Sequence, residues 1–215
     1  MKWSDIEEMV ATDTLYSVHP SVAYTRRILD NLPEKTGRSL EEWIALIEEA
    51  GPEGEKERRA WLKSECGIGG TTAWLIAEQA EGKGSESTEP EAYLEAAAKY
   101  VEAMYAGPKA ELRPIHDRLV EVGKMLGEDV KVCPCKTIVP LYRKRVFAEI
   151  KPATETRVDL GFALKMYQGE LPGRLLPTGG LEKGDRITHR IPLESVDEID
   201  DELERWIRVA YELDD

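Results

Sequence analysis

The sequence predicts an α+β protein in two parts: an all-helical N-terminal domain, then a C-terminal domain of helices packed on a mostly antiparallel sheet. Three observations lead there. Apolar residues recur at helical spacing up to about residue 126, and from Gly127 they alternate in short β-branched runs. The run Glu81-Gly82-Lys83-Gly84-Ser85-Glu86-Ser87-Thr88-Glu89 holds no apolar side chain, which marks a flexible linker. A helical stripe then returns after Ser195. The resulting division is a helical domain over 1–81, a linker over 82–89 and an α+β domain over 90–215.

Each element follows from local chemistry. Residues 3–10 form a short amphipathic pattern, and His19-Pro20-Ser21 opens a helix in which Val22, Ile28 and Leu29 share a face. Leu32-Pro33 ends it. Ser39-Leu40-Glu41-Glu42 is a capping box, followed by Trp43, Ile44 and Ile47 and stopped by Gly51-Pro52. A charged helix spans about 55–65, and another runs from Gly70 to Gln79. Pro90 starts a helix with Tyr93, Ala97, Val101 and Tyr105 every four residues, and the next carries Leu112, Ile115, Leu119, Val122 and Leu126. Strands are expected over 130–133, 136–142, 146–150, 157–160 and 186–193, with Arg143-Lys144-Arg145 as a hairpin tip and 171–184 as a long loop. Ser195 caps the last helix, which buries Val196, Ile199, Leu203, Trp206, Val209 and Ala210.

The chain of 215 residues is 41% hydrophobic and 33% charged, enough to bury a core without a metal or disulfide. Its three cysteines cannot close a disulfide framework and suit a reducing cytoplasm. The acidic opening residues are unlike a signal peptide, and no apolar run reaches membrane-spanning length, so no membrane partner is expected. The net charge of −13 divides unevenly: −6 over 1–84, −5 over 85–130, +6 over 131–190 and −8 over 191–215. The basic stretch can attract an anion locally, or the acidic C-terminal helix can neutralise it within the fold.

Residues 19–79 resemble the bacterial domain of unknown function 4287 through His19-Pro20-Ser21-Val22, Lys35-Thr36-Gly37-Arg38-Ser39-Leu40-Glu41-Glu42-Trp43, Ala60-Trp61-Leu62-Lys63 and Gly67-Ile68-Gly69. The chain from about Tyr100 is similar to domain of unknown function 5655 at Ala106-Gly107-Pro108-Lys109, Lys136-Thr137, Arg143-Lys144-Arg145, Pro152-Ala153-Thr154, Arg157-Val158-Asp159-Leu160-Gly161 and Thr188-His189-Arg190. The resemblance implies the two-domain plan and a bacterial protein. No activity comes with it.

The residues leave several chemistries open. Lys136, Arg143, Lys144, Arg145, Arg157, His189 and Arg190 fall on predicted strands or turns, as a basic sheet face for an anionic small molecule or protein partner would require. The alternative is a solvated strand edge paired to Glu149, Glu155 and Asp159. Gly67, Gly69 and Gly70 make a helix-hairpin-helix-like turn that would let backbone amides meet a nucleic-acid phosphate, though Glu65 and Cys66 depart from that pattern. His189 with Asp159, or with a cysteine, is the one acid–base pairing an enzyme could use. Cys133 and Cys135 with His116 offer thiolate and imidazole ligands, but one intervening residue is too short for a structural zinc site, and no metal or cofactor is expected. Phosphate-loop, nucleophile-elbow and zinc-helix motifs are absent. The expected function is a non-catalytic binding module.

Overall fold

The computed structural model describes residues 15–215, so the helix expected over 3–10 lies outside the described residues. The described chain divides into two compact units, His19–Leu94 and residues 15–18 together with Glu95–Asp215.

The helical unit contains α1 (Pro20–Asp30), α2 (Leu32–Thr36), α3 (Leu40–Ala50), α4 (Glu55–Ser64) and α5 (Gly70–Gln79). Leu32-Pro33 starts the short α2 rather than only ending α1, because a proline in the first turn withholds a donor the helix does not need. The capping box forms: Glu42 N–H donates to Ser39 Oγ, and Ser39 N–H donates to Glu42 Oε2 at 2.7 Å. Behind it, Trp43 and Ile47 pack with Leu62, Leu75 and Ile76, and the Trp43 indole N–H donates to Thr36 Oγ1. The run 82–89 is folded into this unit. Ser85–Ser87 is a 3-10 turn, Thr25 donates to Ser87 O, and Thr88 is buried with its hydroxyl on Gly84 O. The division between units falls instead inside α6 (Pro90–Met104). Hydroxyl groups that composition counts as linker chemistry here satisfy backbone carbonyls.

In the second unit α7 (Arg113–Lys124) precedes β1 (Lys131–Val132), β2 (Val139–Tyr142), β3 (Val146–Pro152), β4 (Val158–Phe162), β5 (Leu176–Pro177) and β6 (His189–Leu193). All pairings are antiparallel, in the order β1-β2-β3-β4-β6-β5. Register aligns Leu141, Ala148 and Phe162, and likewise Val139, Ile150, Leu160 and Ile191, so these buried side chains share one face. Gly123 of α7 lies so close to that face that a Cβ would meet Leu141 Cδ1 at 2.8 Å. The stretch 171–184 is not a plain loop, since it holds β5 and the short α8 (Gly180–Lys183).

The last helix, α9 (Asp201–Glu212), buries Leu203, Trp206, Ile207 and Ala210 and packs on β3 and β4. Its cap is Asp200, which accepts Leu203 N–H at 3.0 Å. Ser195 instead caps a preceding 3-10 turn, Val196–Glu198, and leaves Val196 exposed. Two acceptors five residues apart each stop one set of orphan amides.

His116 of α7 is fully buried against Tyr105, with ring centroids 4.9 Å apart, and neither ring nitrogen has a hydrogen-bond partner among the described residues. Burial pushes its pKa down to about 4. The unfolded chain takes up this proton first, near the ordinary value of about 6.5. Stability is therefore complete above that pH and falls as pH drops towards 4, by about 3 kcal/mol from this group. The His116→Leu variant should show a flatter denaturation midpoint than the wild type between pH 6.5 and 4.5; parallel profiles would exclude His116 as the source.

Candidate functional site

The β2–β3 turn is built as its basic residues demand. A bulge between Leu141 and Tyr142 precedes it, and Arg143 N–H closes onto Arg145 O at 3.0 Å. Three like charges at one tip need counter-charges, and acidic groups near the chain's last residues supply most of them. Arg143 lies over the Tyr211 ring, 4.3 Å from its centroid, and donates to Asp129 Oδ2 at 2.9 Å. Tyr211 OH donates to Asp129 Oδ1, and that hydrogen bond, then the one from Arg143, holds the Asp129 carboxyl below its ordinary pKa. Lys144 is 3.6 Å from Asp215.

Arg145 faces a different carboxylate. Its backbone N–H donates to Asp214 Oδ2 at 2.7 Å, and its Nε lies 3.4 Å from Asp214 Oδ1. Asp214 is fully buried, and Arg186 reaches it too, donating through Nη2 while its Nε donates to Val146 O. Beside this clasp lies a cleft of about 460 Å³ lined by Arg145, Lys165 and Arg186, with Ala163, Met166 and Leu213 as its apolar part and Asp185 as its acidic residue. Lys165 is exposed and makes no ion pair among the described residues.

Arg157 and Arg190 form a separate group. Both bind the buried Asp159, Arg157 through Nε at 2.9 Å and Arg190 through Nη1. Asp159 stands on β4 between Lys151 of β3 and Pro192 of β6, out of register with the core-facing Leu160. Lys136 lies 5.8 Å from the centroid of the Tyr100 ring. His189 shares a hydrogen bond with Thr188 Oγ1 at 3.0 Å, and burial lowers its pKa. The seven basic residues singled out in the sequence thus occupy several places rather than one sheet face. Lys165 of the cleft and Asp214, which holds two of its arginines, carry no sequence signal beyond their charge, because their neighbours come from distant segments.

The glycine turn joins α4 to α5. Gly67 sits at φ 67°, where a side chain would be strained, and Ile68 N–H returns to Leu62 O. Gly69 offers α5 no side-chain cap. Gly69 and Gly70 border a cleft of about 290 Å³ with Tyr24 and Lys35. Cysteine chemistry is muted: burial raises the thiol pKa of both Cys66 and Cys135, away from a thiolate. Among the described residues no group of three or more His, Cys, Asp or Glu could hold a metal ion.

Two family models match the chain, in the order of its two parts. Domain of unknown function DUF4287 covers residues 25–82, and domain of unknown function DUF5655 covers residues 101–214. No curated protein and no solved structure matches.

The Asp159 group has a measurable consequence. Asp159→Ala leaves two arginines close together without their shared carboxylate, which should cost about 2 kcal/mol. A lowered urea midpoint is the expected result; an unchanged midpoint would show that the group contributes no stability.

Proposed function

We propose that this chain, which belongs to the DUF5655 family through residues 101–214, is a non-catalytic binding module that takes an anionic ligand in the cleft of Arg145, Lys165 and Arg186. One observation carries the proposal: three cationic side chains from three separate segments line one cleft. Arg145 and Arg186 are anchored by Asp214, so their order does not depend on a ligand, and Lys165 adds a charge that makes no ion pair among the described residues, with Asp185 the acidic residue of the lining. Guanidinium forks suit phosphate and carboxylate oxygens, and an ammonium adds a point charge.

The non-catalytic half of the proposal is supported by what surrounds the reactive groups. Asp159 is engaged by two arginines, and His189 has Thr188 as its hydrogen-bond partner. Burial raises the thiol pKa of Cys66 and of Cys135, which disfavours the nucleophilic thiolate. No described helix is long and apolar enough to cross a membrane, and the basic cleft is compatible with a small anion or an acidic group of a partner protein.

Calorimetric titration of the full chain with inorganic phosphate tests this. Binding should weaken as salt rises, because the attraction is largely electrostatic. Lys165→Glu reverses a charge at an exposed site, so the fold should persist while affinity falls at least about tenfold. Unchanged phosphate affinity in that variant would refute the proposal.

A further inference from the structure

We infer that the ligand of this cleft is a phosphomonoester on a small, uncharged apolar body, with Asp214 as the positioning residue for its two arginines. The inference rests on the anion-binding reading above and narrows it to one ligand chemistry.

The donors indicate the anion. A planar carboxylate is satisfied by the two parallel N–H groups of one guanidinium. Here the cations come from the β2–β3 turn, the segment after β4 and the segment before β6. Asp214 holds Arg145 by the backbone N–H and the Nε side, and it holds Arg186 by Nη2. The two Nη groups of Arg145 and the Nη1 of Arg186 make no hydrogen bond among the described residues. Their residues and Lys165 line one cleft from three separate segments of the chain. That arrangement suits a tetrahedral dianion, with three terminal oxygens and about two charges, better than a flat monoanion.

The walls indicate the body. A cleft of about 460 Å³ lies in the range of small-molecule sites and exceeds what a bare phosphate fills. Its remaining lining includes Ala163, Leu213 and Met166, and Met166 is 67% exposed, the most exposed of the large apolar side chains described. A flexible thioether at the mouth of a charged cleft can fold down on an apolar ligand and bury surface on both sides. Asp185, also in the lining, opposes a second anionic group. The geometry therefore favours one phosphate and disfavours polyphosphates and nucleic-acid backbones.

The test is calorimetric titration of the full chain with inorganic phosphate, phenyl phosphate and benzoate. Phenyl phosphate should bind about tenfold tighter than inorganic phosphate, through added apolar burial, and tighter than benzoate. Met166→Ser should remove most of the phenyl advantage, read as the ratio of phenyl phosphate to inorganic phosphate affinity. Lys165→Met should weaken both phosphates by a similar factor and preserve their ratio. Asp214→Asn keeps the side chain's shape and removes its charge. It should weaken phenyl phosphate and lower the enthalpy of binding, whereas a carboxylate that merely competed with the ligand would give tighter binding. Equal affinity for the two phosphates, benzoate matching phenyl phosphate, or an undiminished phenyl advantage in Met166→Ser would each overturn the phosphomonoester assignment and leave the broader anion reading standing. If none of the three probes binds, the anion reading itself falls and this inference with it.

Discussion

A carboxylate shut away from water must be met by donors, and Asp214 is wholly buried. It accepts from the backbone of the β2–β3 turn and from Arg186, and Arg145 adds its Nε side. These contacts tie three segments distant in sequence: the hairpin tip, the approach to β6 and the residues just after α9. The register of β3 against β4 and the seat of α9 on both strands are consistent with that single junction. Removing the carboxylate would leave two arginines facing each other, so the junction is maintained from both sides.

Ion pairs also account for much of the uneven charge map. Arg143, Lys144, Arg145, Arg174 and Arg186 of the basic stretch 131–190 pair with carboxylates of the acidic stretch 191–215, and Arg157 and Arg190 pair with Asp159. Arg143 meets Asp129 and Asp215, and Arg174 meets Asp200 and Glu202. Arg118 of α7 meets Glu204 of α9. Most of the apparent excess of positive charge is therefore used inside the unit. What survives this cancellation is informative, and it survives at the cleft beside Lys165 rather than on the sheet face.

Much of the architecture was legible because it rests on local rules. The capping box at Ser39, the four-residue spacing of Tyr93, Ala97, Val101 and Tyr105, and the change to alternating β-branched residues after Gly127 each need only neighbours in sequence. The run 82–89 was misleading for a physical reason. Its serines and threonines suit a solvated coil, yet Thr25 and Thr88 use their hydroxyls to hold Ser87 and Gly84 carbonyls, which only the folded neighbourhood supplies. The cap of α9 was misplaced by five residues because Ser195 and Asp200 both have capping chemistry, and composition does not rank them. The site was the least legible part. Arg145 and Arg190 look alike in sequence, but one lines a cleft and the other is closed onto Asp159.

That contrast separates the proposed site from a structural ion pair. At Asp159 the carboxylate lies on the sheet between two arginines, and each guanidinium turns towards it along the surface. The group is close to self-sufficient, and an incoming anion would have to displace the carboxylate. At Asp214 the two arginines it holds also line a cleft that a third cation, Lys165, shares, and Lys165 makes no ion pair among the described residues. Pre-ordered donors bind with less loss of side-chain freedom than donors recruited from solvent. The overall charge then acts as a filter of a second kind. A chain carrying −13 repels long polyanions over the distance that salt allows, whereas a single small anion in the proposed site would meet the local cations first. On the proposed reading, long-range repulsion and short-range attraction would together favour a small anion, a preference that neither the net charge nor the basic stretch alone would give.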